Sequence, residues 1–161
     1  MKDCIWDDRW FIRATILVVT MVCLTVAAFP AAAGGLSAEN NYILRCTGCH
    51  RMDGSGNPQG GIPDFRDSVG YFSAFPKGRE YLVHVPGVLE SSLTPKEIAD
   101  VLNYVIIRWG GRSLPEQYQP FTVSEVTELQ KIKIDDVVAF RRQLVERLNG
   151  QGIDVAEYPW P

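Results

Sequence analysis

An all-α fold is expected from three stretches of the 161-residue chain. In "LTPKEIADVLNYVIIRW", Thr94 stands three residues before Glu97 in a capping box, with Pro95 at the first helical position. Ile98, Val101, Leu102, Val105 and Ile106 then recur at helical spacing, and Gly110 and Gly111 stop the run. Thr122 and Glu125 repeat the capping box before "VSEVTELQKIKIDDVVAFRRQLVERLNG", where Val137, Phe140, Leu144 and Leu148 share one face. Ser37 caps a shorter helix through "AENNYILR", with Glu39 in its first turn.

The remaining elements follow in chain order. Residues 1–33 place Arg9 and Arg13 before the uncharged run "ATILVVTMVCLTVAAF" and then "PAAAGG". A charged start, an apolar run and small residues of A-x-A type are a secretory signal, with the cut expected after Ala33. The alternative is a retained membrane anchor, for which the run is short. Met21 and Val22 precede Cys23, which does not suit a lipid-attachment site. "DGSGNPQGGIP" is a loop by composition. A short helix is expected near Asp64–Phe72, then irregular chain to residue 92. "RSLPEQYQP" reads as a linker, Asp135 as a restart of the last helix, and "YPWP" as a tail laid on the surface or frayed.

Apolar content of 46%, charged content of 22% and a net charge of −3 describe an ordinary globular protein and exclude a nucleic-acid footprint. The segment 1–33 is charge-neutral, so the −3 belongs to the rest. Cys4 and Cys23 fall in that segment, leaving Cys46 and Cys49 as the pair in the exported part.

Those two cysteines lie in "RCTGCHRMDGSG". "CTGCH" is C-x-x-C-H, the pattern of covalent haem attachment. Two thiols must add across the two vinyl groups on one porphyrin edge, and the next imidazole must reach the iron from one face. A two-residue gap arches the backbone over that edge, and Thr47 and Gly48 are small enough to permit it. Zinc would need more ligands than His84 can add. A thioredoxin-like redox pair would need a βαβ context. A disulfide across so small a loop would stabilise little.

The flanking residues resemble those of class I cytochromes c from about Leu36 to Arg112. Tyr42 stands one turn before the first cysteine; Asp53, Gly54 and Gly56 follow the motif; Pro63 and Phe65 form a later proline–apolar step. Leu93 to Tyr104 match the family's last helix. The resemblance implies crossed first and last helices with Tyr42 against Tyr104, and Ala38 as a small residue near the crossing. It also implies haem c on Cys46 and Cys49, His50 as proximal ligand, and the Pro63 carbonyl as acceptor for His50 Nδ1.

This sequence departs from the family at the second axial ligand. The family takes a methionine from the loop before its last helix. Here Met1 and Met21 lie in the signal segment, and Met52 follows His50 too closely to reach the other face. His84, in "YLVHVPGVLESSLTP", is the remaining histidine. It is expected as the distal ligand, which would lower the potential relative to His/Met iron. The alternative leaves His84 a loop or surface residue and the iron five-coordinate. Lys77, Tyr71 and Tyr81 are poorer candidates.

Arg45, Arg51, Lys77 and Arg79 are either a basic rim for an acidic partner or the haem propionates, or plain solvated charge, which is favoured. Trp109 is expected in the core. The domain division is 1–33 signal or anchor, 34–112 cytochrome c haem domain, and 113–161 helical extension, whose amphipathic face is expected to pack on the haem domain. The expected function is one-electron transfer in the periplasm, not enzymatic catalysis. Periplasmic dehydrogenases or oxidases are the expected partners, with membrane contact only if the N-terminal segment is retained. The alternatives are an open iron site that binds a gas or reduces peroxide, and a fixed haem subunit of a larger complex.

Overall fold

Ser37 opens the first helix as its spacing predicts. Its hydroxyl accepts the Asn40 amide at 3.2 Å, and α1 runs Ala38–Arg45. The computed structural model describes residues 35–155, so the expected signal segment and the terminal "YPWP" lie outside the described residues. The described helices continue as α2 Thr47–His50, α3 Val69–Ser73, α4 Pro76–His84, α5 Pro86–Leu89, α6 Pro95–Trp109, α7 Val123–Leu129 and α8 Val137–Asn149. No strand occurs among the described residues, and none of their helices is long and apolar enough to cross a membrane.

α6, the longest helix among the described residues, is the frame of the fold. Thr94 accepts the Glu97 amide while the Glu97 carboxylate accepts from the Thr94 amide at 2.9 Å, closing the capping box. Its buried face carries Ile98, Ala99, Val101, Leu102, Val105 and Ile106. α1 crosses it, and Tyr42 lies 5.9 Å from Tyr104 and 4.6 Å from Trp109, ring centre to ring centre. Trp109 also meets Tyr104 edge-on at 5.7 Å and Phe65 at 6.2 Å. Gly54 lies beneath this tryptophan at φ +74°, where a Cβ would sit 2.9 Å from the indole. The "DGSG" loop therefore needs glycine there for both conformation and space.

Residues 76–84, expected as irregular chain, form helix α4. Pro76 starts it at the first position, and Val85–Pro86 ends it. Its amphipathic signal is weak because Gly78 and four charged or polar residues interrupt a nine-residue segment. Burial decides the conformation: Tyr81, Leu82 and Val83 are all buried. A Cβ on Gly78 would land on the Phe72 carbonyl, so this glycine lets α3 and α4 approach closely.

The chain beyond residue 112 packs on the same core. Asn103 of α6 pins the linker: its Oδ1 accepts from the Tyr118 hydroxyl at 2.6 Å and the Phe121 amide at 2.7 Å. Its Nδ2 donates to the Phe121 carbonyl at 3.0 Å. Thr122 caps α7 through the Glu125 amide. Glu125 does not close the box; its carboxylate takes the Arg79 guanidinium, Nη2 to Oε2 at 2.6 Å. Arg79 also lies 3.8 Å over the Phe121 ring. Asp136, one residue later than expected, caps α8 with bonds of 2.9 Å from the Val138 and Ala139 amides.

Candidate functional site

The haem motif sits at the junction of α1 and α2. The Cys46 amide donates to the Tyr42 carbonyl and the His50 amide to the Cys46 carbonyl, at 2.9 and 2.8 Å. The Tyr42 hydroxyl donates to the Arg51 carbonyl at 2.6 Å, fixing the far end of the motif. The motif is thereby folded into one helical turn, and Cys46, Cys49 and His50 all border one cavity of about 440 Å³. The two cysteines are free thiols.

His50 is held by aromatic stacking. Its ring lies 3.9 Å from that of Phe65 at an interplanar angle of 18°. Burial pushes its pKa down to about 4, so the imidazole is neutral and keeps a lone pair for a metal. Nδ1 is buried without a hydrogen bond of full geometry, yet the Pro63 carbonyl faces the ring closely enough to raise its basicity in part. Gly56 sets that carbonyl: at φ +68°, a Cβ there would lie 2.5 Å from both the Ile62 and Pro63 carbonyl oxygens.

Burial, with Cys49 beside it, pushes the Cys46 thiol up to about 11. A redox-active or nucleophilic cysteine needs the opposite shift. Among the described residues no group of three or more His, Cys, Asp and Glu side chains is placed to cage a bare metal ion. Both observations leave covalent haem attachment as the chemistry that suits the motif.

The cavity walls are mainly apolar, built from Phe72, Leu82, Val85, Val88, Leu102 and Ile106 among others. The buried charge among them is Arg141, which lines the cavity from α8 and is 3% exposed. Its Nη1 donates to the Tyr81 hydroxyl at 3.1 Å, and its guanidinium lies 4.8 Å over the Phe72 ring. An apolar slot with a buried cation and a C-x-x-C-H edge fits a flat macrocycle that carries carboxylates. Sequence reasoning missed Arg141 and its neighbours Val137 and Val138, because they lie beyond the family match. The signal that could have found it was an arginine at position 141, between Val137 and Leu144, on the otherwise apolar face of α8.

No protein-family model matches the chain. Two curated relatives do, both named Cytochrome c-552 from Thermus thermophilus. The first is 33% identical over 135 residues, spanning 69% of this chain and 90% of the relative. The second is 33% identical over 120 residues, spanning 62% of this chain and 91% of the relative. The chain belongs to the c-type cytochromes. Its cofactor is haem c, attached through Cys46 and Cys49, and its chemistry is electron transfer with redox partners.

The distal ligand expected of this cytochrome has a different place. His84 is 6% exposed but does not border the cavity. Its Nδ1 lies 2.7 Å from the Glu80 carbonyl and its Nε2 2.8 Å from the Ile132 carbonyl. A ring whose two nitrogens both face carbonyl oxygens presents no lone pair to iron. Expectation and geometry differ because position 84 is the last residue of α4, where the helical phase aims Tyr81 and Leu82 at the cavity and His84 at the α7–α8 turn. Met52 is 66% exposed and also lies off the cavity wall.

The expected basic rim divides among separate roles. Arg79 is the internal partner of Glu125, and Lys77 pairs with Glu80 at 2.7 Å. Arg45 borders the cavity mouth, and Arg51 is exposed beside the motif.

Proposed function

We propose that this cytochrome is an exported single-haem protein that passes one electron between periplasmic redox partners, with His50 as the proximal ligand. Bound haem c supplies an iron that alternates between ferric and ferrous states. The residues of this chain attach it, orient it and shield it. Cys46 and Cys49 anchor one edge, and Phe65 fixes the plane of the His50 imidazole. The Pro63 carbonyl strengthens that imidazole as a donor. Arg141 and Tyr81 suit the propionate carboxylates, offering a charge-assisted hydrogen bond and a hydroxyl in a dry setting.

The observation that carries this reading is the convergence of both thiols and a neutral, stacked His50 on one apolar cavity. Export is supported by the 1–33 signal pattern. A dehydrogenase donor and an oxidase acceptor are the partner classes. Ile43, Leu44 and Met52 are exposed apolar side chains close in sequence to the exposed Cys49, and so few of them suit a brief encounter better than a permanent interface. In this reading the protein is a carrier and not an enzyme.

The test is a pyridine haemochrome spectrum of the purified full chain, followed by reduction with an artificial one-electron donor. Covalent haem at one per chain and reversible one-electron reduction are expected. Loss of covalent haem in Cys46→Ser with Cys49→Ser, and a changed Soret band in His50→Ala, complete the assignment. A chain that carries no covalent haem after co-expression with haem-attachment machinery would overturn it.

A further inference from the structure

The haem cavity offers the iron one side-chain ligand where electron carriers ordinarily have two. Strong haem ligands are imidazole nitrogen, thioether or thiolate sulfur, and amine nitrogen. Among the described residues, the side chains of these types on the cavity wall are His50 and the two cysteines that attachment consumes. His84 is turned to the Ile132 carbonyl, Met52 is exposed, and Lys77 is paired with Glu80. The ten residues 85–94 between α4 and α6 read "VPGVLESSLT", with no histidine, methionine, lysine or cysteine. They form the short turn α5, which brings Pro86, Gly87 and Val88 to the wall.

We infer that the juxtaposition of this ligand-free turn with the cavity leaves the iron a sixth position for an exogenous molecule: a small neutral gas of the carbon monoxide or nitric oxide class. The inference rests on haem c being held as proposed above. Neutrality follows from the charges at the site. Haem brings two carboxylates, and the wall offers Arg141 buried, with Arg45 and Asp64 of opposite sign near the mouth. In the ferrous state the dianionic porphyrin cancels the charge of the iron, so the site is net negative, and its apolar walls cannot solvate an anion. A neutral π-acceptor meets no such cost.

Tyr81 also borders the cavity, but its hydroxyl is engaged by Arg141, and a phenol is a poor ligand for ferrous iron. His84 contributes by positioning only. It holds the end of α4 against the α7–α8 turn, so that α5 follows directly into the wall.

The experiment uses the full chain with haem attached. A pyridine haemochrome spectrum first establishes haem c; without it, the proposed function itself fails. The ferrous protein is then titrated with carbon monoxide, and the ferric spectrum is recorded. An immediate shift of the Soret band with carbon monoxide is expected, with the same affinity in His84→Gln. The ferric protein should show a high-spin spectrum. A carbon monoxide spectrum identical to that of the untreated ferrous protein would overturn the inference. Recovery of the shift in His84→Gln would then name the internal ligand.

Discussion

The Nε2 atom of His84 lies 2.8 Å from the carbonyl oxygen of Ile132, across 48 positions of sequence. This contact joins the end of α4 to the turn between α7 and α8, while Nδ1 meets the Glu80 carbonyl one turn back. The histidine is a buried clasp between two parts of the fold. Replacing it with alanine removes the ring N–H donor and leaves a void where the imidazole was buried, costing about 2–3 kcal/mol. The urea midpoint of His84→Ala should fall by the corresponding amount while the reduced haem spectrum keeps its shape. A changed spectrum at unchanged stability would make His84 a ligand.

Asn103 gathers three hydrogen bonds from the linker, two accepted at Oδ1 and one donated from Nδ2. Asn103→Ala leaves the Phe121 amide and carbonyl and the Tyr118 hydroxyl to find other partners. A loss of about 2–4 kcal/mol is expected from several buried polar groups left unpaired together. Limited proteolysis should cut the variant first between residues 114 and 122.

Tyr118 sets an alkaline limit. Burial raises its phenol from 10.0 to about 12, with Glu125 adding to the shift and Arg79 opposing it. The folded protein therefore holds this proton more tightly than the unfolded chain. The resulting stability is complete below pH 10 and is lost as pH rises from about 10 to about 12. Tyr118→Phe should lose about 1 kcal/mol at neutral pH with its hydrogen bond. It should also decline less steeply than the parent above pH 10, which paired urea titrations at pH 8 and pH 11 would measure.

Gly78→Ala reverses the usual sign of that exchange. Inside a helix, alanine ordinarily stabilises by about 1 kcal/mol over glycine. Here the added methyl would strike the Phe72 carbonyl, and α3 and α4 must part. A net destabilisation of about 1–3 kcal/mol is expected from overpacking. A raised melting temperature would refute the close contact.

Arg141→Leu removes the buried cation from the haem cavity. A positive charge near the iron disfavours the ferric state, so its loss should lower the reduction potential. Arg141→Lys should lie between the two. Spectroscopic redox titration of the three proteins gives the order.

Much of this protein is written locally in its sequence. The haem motif needs adjacent residues only, so "CTGCH" declares its chemistry without any tertiary knowledge. The caps at Ser37, Thr94 and Thr122 are likewise local, because a side chain three residues away satisfies the helix end. α6 was legible because its apolar period is long and unbroken, and Tyr42 and Tyr104 could be paired from the family pattern.

Tertiary structure alone decided three things. Helix α4 forms because Tyr81, Leu82 and Val83 are buried together, a gain that no nine-residue window with a glycine displays. Arg141 enters the haem cavity because the Asn103 and Arg79 anchors fold residues 114–136 back over the core, a path set by contacts 15 to 46 positions apart. His84 leaves the cavity because the phase of α4 at its end turns Tyr81 and Leu82 to the cavity wall and His84 to Ile132. Ligand identity in such a site depends on the phase of a helix end, and that phase is fixed by what the helix packs against.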